Sequence, residues 1–281
     1  MPTDLMSLLS RTRPCFAFSN LLFLAATPLF AVETGDENLP DKGAYSIFNP
    51  TPDSLLRELS PDRPDTTESP ITVDAGHYAA EVSFFDWRKD SGDTSYTVMA
   101  ANLKVGLSEN TDLQFVFNSY QNEVDGSEGF GDIQLRLKWN LWGNDGGNTA
   151  LAVFPYVKIP TGTAVSNDHW EGGLILPYAV GLTDTLGLGL MAEVDVVWDE
   201  DSSNHKFEFL HSAVLGLDLT EKLGAFSEYI GIISEGSYQA FSANGFTYAM
   251  TPTFIFDIGT QVGLNNNSAD FGAFAGFTTR F

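Results

Sequence analysis

Arg136 and Lys138 stand two residues apart within Gly131 to Trp142, GDIQLRLKWNLW, where Ile133, Leu135, Leu137, Trp139 and Leu141 alternate with Gln134, Arg136, Lys138 and Asn140. Successive side chains of a strand point to opposite faces, so both cations leave one polar face while the other face is wholly apolar. The same parity puts Lys104, Lys158 and Arg280 on the polar face of their strands. It does so too for Glu81, Glu193, Asp195, Asp218, Glu228 and Asp257, mostly from later strands. If that face lines a lumen, a basic arc confronts an acidic arc, and the field between them could set the selectivity of a pore. The other reading is a paired network that fills a small barrel, because unpaired charge in a narrow lumen is costly.

Catalytic patterns are weak. His211 and Ser212 are neighbours, but on a strand they face opposite ways and cannot act as base and nucleophile. His77 is expected to face inward near Glu81 as a member of a polar network. The chain has no G-x-S-x-G, no H-E-x-x-H and no phosphate loop. With one cysteine, Cys15, and four scattered histidines there is no metal-ligand spacing, so no enzyme, cofactor or metal is expected. Acidic residues outnumber basic ones 37 to 14, a formal charge of -23 that excludes a nucleic-acid partner.

The elements that must carry the charges are strands. Period-two segments are predicted at about 75–87, 96–107, 112–120, 131–142, 149–159, 172–182, 186–198, 207–219, 223–232, 240–250, 253–264 and 270–281. Each is near the roughly 9–11 residues of a tilted membrane strand and longer than most globular strands. Tight turns at Ser108-Glu109-Asn110-Thr111, 143–148, Thr183-Asp184-Thr185, Thr220-Glu221-Lys222 and Thr251-Pro252 alternate with longer polar segments at about 88–95, 121–130, 160–171, 199–206, 233–239 and 265–269. No stretch after Phe30 is apolar enough for a spanning helix, so a membrane span would have to be β. The expected fold is all-β, a transmembrane antiparallel up-and-down barrel of about 12 strands; a soluble sandwich is the alternative that alternation alone leaves open. Tyr78, Phe84, Tyr96, Trp139, Tyr178, Trp198, Phe254, Phe256 and Phe281 are the expected girdle aromatics.

Arg11 and Arg13 precede an apolar run from Cys15 to Phe30 that Pro28 interrupts, and Ala31 can end a cleavage site, so residues 1–31 read as a secretory signal. Residues 32–70 form a polar leader, and 71–281 the barrel. Lacking apolar anchors, the leader's composition favours a disordered periplasmic tether. The sharper alternative is a plug, in which Arg63 and the acidic Asp62, Asp65 and Glu68 thread the lumen and pair with the two arcs.

The segments Asp62 to Pro70 (DRPDTTESP), Val73 to Tyr78 (VDAGHY), Gly131 to Gln134 (GDIQ) and Tyr156 to Gly162 (YVKIPTG) resemble the outer-membrane transporter family named for the meta-pathway of phenol degradation. The resemblance covers roughly residues 60–281. It implies an outer-membrane barrel for passive uptake of small aromatic or hydrophobic solutes, and it brings no binding residues with it. The alternative is a closed barrel with a structural or surface-interaction role. The last strand ends on Phe281 and resembles the signal read by the outer-membrane assembly machinery. Acidic loops on the long-loop rim, including Asp125, Glu128 and Asp199, would face lipopolysaccharide.

Overall fold

The computed structural model describes residues 41–281; the expected signal segment and residues 32–40 lie outside them. A short 3-10 turn, Asp53–Leu55, precedes thirteen strands: β1 (Tyr78–Asp90), β2 (Asp93–Ser108), β3 (Thr111–Asn122), β4 (Glu128–Gly129), β5 (Ile133–Trp142), β6 (Thr149–Ile159), β7 (Glu171–Gly181), β8 (Leu186–Asp199), β9 (Asn204–Asp218), β10 (Leu223–Ser234), β11 (Ser237–Thr251), β12 (Phe254–Gly263) and β13 (Phe271–Arg280). Every strand pairs antiparallel with its neighbours, and β1 pairs with both β2 and β13, which closes the sheet. β4 is a two-residue appendage on the end of β3, so twelve strands make the wall. Closure leaves no edge strand, the requirement for backbone hydrogen bonding in lipid.

Alternation sorts the side chains as the pattern predicts. Leu137, Trp139, Leu215 and Ile258 point outward with 40%, 54%, 46% and 59% of their surface exposed, because a one-layer barrel has no second layer to cover them. Opposite irregularities at Phe84 in β1 and Met99 in β2 switch parity toward the far rim and turn Phe85 and Tyr96 outward as stacked neighbours.

Three connections differ from expectation. The polar segments around 88–95 and 233–239 are not long loops but strand continued into two-residue turns, and the one around 199–206 is reduced to the four residues between the paired Asp199 and Asn204. Ser91 and Gly92 (φ 52° and 102°), and Glu235 and Gly236 (φ 36° and 85°), take the left-handed backbone that matches a hairpin turn to strand twist. Polar side chains extending beyond the apolar band hid these strand ends. The contrast between rims therefore rests mainly on the connections at 123–132, 160–170 and 264–270.

Candidate functional site in the barrel lumen

Antiparallel register brings the inward charges into rows across the strands. One row runs Lys104, Gln114, Arg136, Tyr156, Gly173, Asp195, Glu208, Ser234, from β2 through β10. Barrel strands tilt, so such a row climbs: its basic end lies toward the rim where the leader enters and its acidic end toward the opposite rim.

The leader does not hang below the barrel. Residues 62–69 are all buried inside it, which departs from the tether that composition favours. Few apolar side chains anchor this segment; ion pairs and hydrogen bonds to lumen side chains do. Asp62 lies among cations: Lys138 Nζ donates to its Oδ1 at 2.7 Å, Lys104 pairs with it and with Glu81, and its backbone N–H donates to Glu81 Oε1 at 2.9 Å. Burial alone would raise the Asp62 carboxyl, but Lys104 and Lys138 together hold it well below the usual range.

Arg63 reaches the other arc, where Nε and Nη2 donate to the two oxygens of Asp257 at 3.1 and 2.6 Å in a fork that suits carboxylate. It passes over Gly276, where a Cβ would stand 2.3 Å from Nη2, so the missing side chain makes the path. The backbone N–H groups of Thr66 and Thr67 donate to Glu228, and Thr67 Oγ1 meets Ser212 at 2.6 Å. Glu68 accepts from Arg136 at 2.6 Å, and Pro70 and Ile71 leave the lumen past Asn140 and Lys138, whose side chains donate to their carbonyls. Ser60 and Ser69 hydroxyls meet at 2.7 Å and close the loop at its base.

Not every candidate joins this centre. Lys158 is held near the far rim by Asp132 (3.1 Å) and Glu171 (2.7 Å). Arg280 lies at the entry rim, donating to the Arg57 carbonyl at 2.6 Å. Asp65 is buried in the loop. Glu193 and Asp195 face the lumen toward the far rim, and Asp195 accepts from the Tyr156 hydroxyl at 2.6 Å. His77 does not approach Glu81; it bonds the Thr51 carbonyl at 2.7 Å on the rim, because it precedes β1 and is outside its parity. His211 packs outward between Phe209 and Tyr238 while Ser212 points inward.

Other participants were not singled out. Asp112, Gln114 and Glu208 follow from parity. A rim cluster of Lys42, Arg57, Asp74 and Asp145 has no periodic signal, because three of its members lie in irregular chain before β1 and the fourth in a turn. Lys42 and Arg57 lower the Asp145 carboxyl against its burial.

Part of the remaining inner wall is apolar, with the Glu193 carboxyl standing between Ile175 and Leu210. Phe154, Ile175, Met191, Leu210, Phe226, Ile230 and Phe241, from β6 to β11, form one buried cluster on the lumen side. Folding in lipid calls for apolar residues outside, and water-filled porin lumens are polar, so an apolar inner patch is not explained by the membrane.

An apolar exterior, closed twelve-strand wall and ionisable interior define a transmembrane β-barrel of the outer-membrane type. The chain belongs to the family described as "Putative MetA-pathway of phenol degradation", whose model matches residues 61–281, a span that begins with the lumen loop. No curated protein matches the chain by sequence. Among solved structures it is similar to an outer-membrane channel from Pseudomonas putida F1, at 13% identity and TM-score 0.57 over 78% of this chain and 99% of that one. It is also similar to the NanC porin, at 12% identity and 0.53 over 72% and 98%, and to the KdgM porin in complex with oligogalacturonate, at 7% and 0.52 over 73% and 99%.

Proposed function

We propose that this barrel is an outer-membrane channel for passive uptake of small aromatic or other hydrophobic solutes, with residues 61–72 as its plug. The observation that carries the reading is the apolar cluster on the lumen wall, which offers such a solute a surface that sugars and ions do not need. The family's description points the same way. In cells lacking their major porins, the chain is expected to raise the initial uptake rate of labelled phenol but not of labelled glucose. Uptake of glucose alone, or of neither, overturns it.

The second reading, a closed barrel with a structural role, is favoured by the completeness of the Asp62, Arg63 and Glu68 pairing. Planar-bilayer conductance of the full chain and of a variant lacking residues 41–70 separates the two. Steps that appear on deletion support the plug, and silence in both together with no phenol uptake supports the closed barrel. Export by a signal cleaved near Ala31, and recognition by the assembly machinery through Phe281, which is 71% exposed, complete the proposal. N-terminal sequencing of outer-membrane protein tests the cleavage.

A further inference from the structure

The outward face of the wall is apolar where lipid requires it, as on β8, whose outward positions are Leu186, Leu188, Leu190, Ala192, Val194 and Val196. It departs from this on β10, β11 and β12. There the exposed Ser227, Asn244 and Thr260 are register partners in one outward row, and Ser242 adjoins Asn244 on the same strand. Tyr238 and Tyr248, outward and exposed near the two ends of β11, mark the membrane interfaces, and Asn244 lies between them at mid-strand. Among the described residues the Asn244 amide makes one side-chain hydrogen bond, Nδ2 donating to Ser242 Oγ at 3.2 Å, and the Ser227 and Thr260 hydroxyls make none. The hydroxyls of Tyr229 and Tyr238 on the same face, by contrast, pair with each other.

Hydrocarbon offers neither donor nor acceptor, so this row stays unpaired against lipid and is paired only by another protein surface. No outward position of β10, β11 or β12 is charged, which disfavours a partner that presents charge. Amide and hydroxyl groups each carry both donor and acceptor, so the row complements a copy of itself. Copies inserted in the same direction meet symmetrically about a two-fold axis along the membrane normal, and that axis sets equal heights against each other. A residue on the axis then faces itself, and Asn244, at the centre of the row, has an amide that can donate to and accept from its own copy. The small side chains of Ser227, Ser242 and Ala273, the register partner of Thr260, let the two walls approach. We propose that the outward face of β10 to β12 binds a second copy of this chain, with the two Asn244 amides hydrogen-bonded across the two-fold axis. The dimer is independent of whether the lumen conducts.

Sedimentation equilibrium of folded residues 32–281 in detergent micelles tests this, and a dimer mass is expected. Asn244→Leu should raise the dimer dissociation constant about tenfold, the worth of one or two hydrogen bonds between membrane segments. The variant exchanges a polar lipid-facing group for an apolar one, so the barrel should remain folded, which heat-modifiable migration on gels checks. Thr260→Val combined with Ser227→Ala carries the test if it does not. The only cysteine, Cys15, lies in the expected signal, so single thiols can be placed on the exported chain. Ser242→Cys, beside the axis, should give a covalent dimer with a short bismaleimide in outer membranes, and Leu190→Cys on the β8 face should not. A monomer mass for the unsubstituted chain, a dimer unmoved by the folded variants, or cross-linking from Leu190→Cys but not from Ser242→Cys overturns the proposal. So does a Ser242→Cys adduct with a different protein, which would give the row to another partner.

Discussion

Arg63 shows what one buried side chain can decide. Its guanidinium and the Asp257 carboxylate are each about 1% exposed, and each is the other's neutralising partner. Removing one member leaves an uncompensated charge in a site water does not reach, a loss of about 3–5 kcal/mol, whereas replacing both with apolar groups of similar volume is close to neutral. Arg63→Ala should therefore loosen the seated loop strongly, and Arg63→Met with Asp257→Leu should recover most of the loss. Protease cleavage within residues 61–72 of the folded barrel reads this out: faster in the single variant, near the original rate in the double. Cleavage unchanged by Arg63→Ala would show that the pair does not hold the loop.

At the scale of the element, the seated leader carries two carboxyls that respond to pH in opposite senses. Asp62 is lowered by its two lysines, so its contribution to seating is present above the ordinary carboxylate range and is lost only in strong acid. Glu68 is pushed up to about 8 by burial and by the Asp62 charge, against the pull of Arg136, and one of its oxygens has no hydrogen bond. A raised carboxyl contributes most below its unseated value near 4.5 and loses that contribution as pH climbs through about 8. Seating should therefore be tightest in mild acid and loosen progressively between about pH 4.5 and 8, and Glu68→Gln should flatten that profile, measured again by cleavage of the loop. A flat profile in the unsubstituted chain, or a slope that survives Glu68→Gln, contradicts this. The strands were more legible than the leader for a physical reason. Ile133–Trp142 is marked out by alternation because one of its faces meets lipid, which gives the sequence a period of two. Residues 62–69 meet only polar lumen atoms, so their composition is that of a solvated tether and their pairing with Lys104, Lys138 and Asp257 depends on contacts up to 194 residues distant. Parity supplied the inward charges, but not which of them would meet the leader, because strand tilt sets their heights.

For the whole molecule, the outward face decides whether this fold lives in lipid or water. Ile258 lies mid-strand on β12 with 59% of its surface exposed, and Phe254 begins the same strand at the turn rim. In a membrane, a charged residue facing lipid is costly according to depth: about 2–4 kcal/mol for arginine at the midplane and about 0–1 near an interface. In water both positions are surface sites, and arginine at either would change stability little. Ile258→Arg should thus destabilise the barrel folded in phospholipid vesicles by about 2–4 kcal/mol in denaturant titration, against at most about 1 for Phe254→Arg. The depth dependence is the discriminating quantity, since a general intolerance of substitution would penalise both alike. Equal small effects would place the apolar face in water, and would leave the lumen charges as the interior of a soluble barrel.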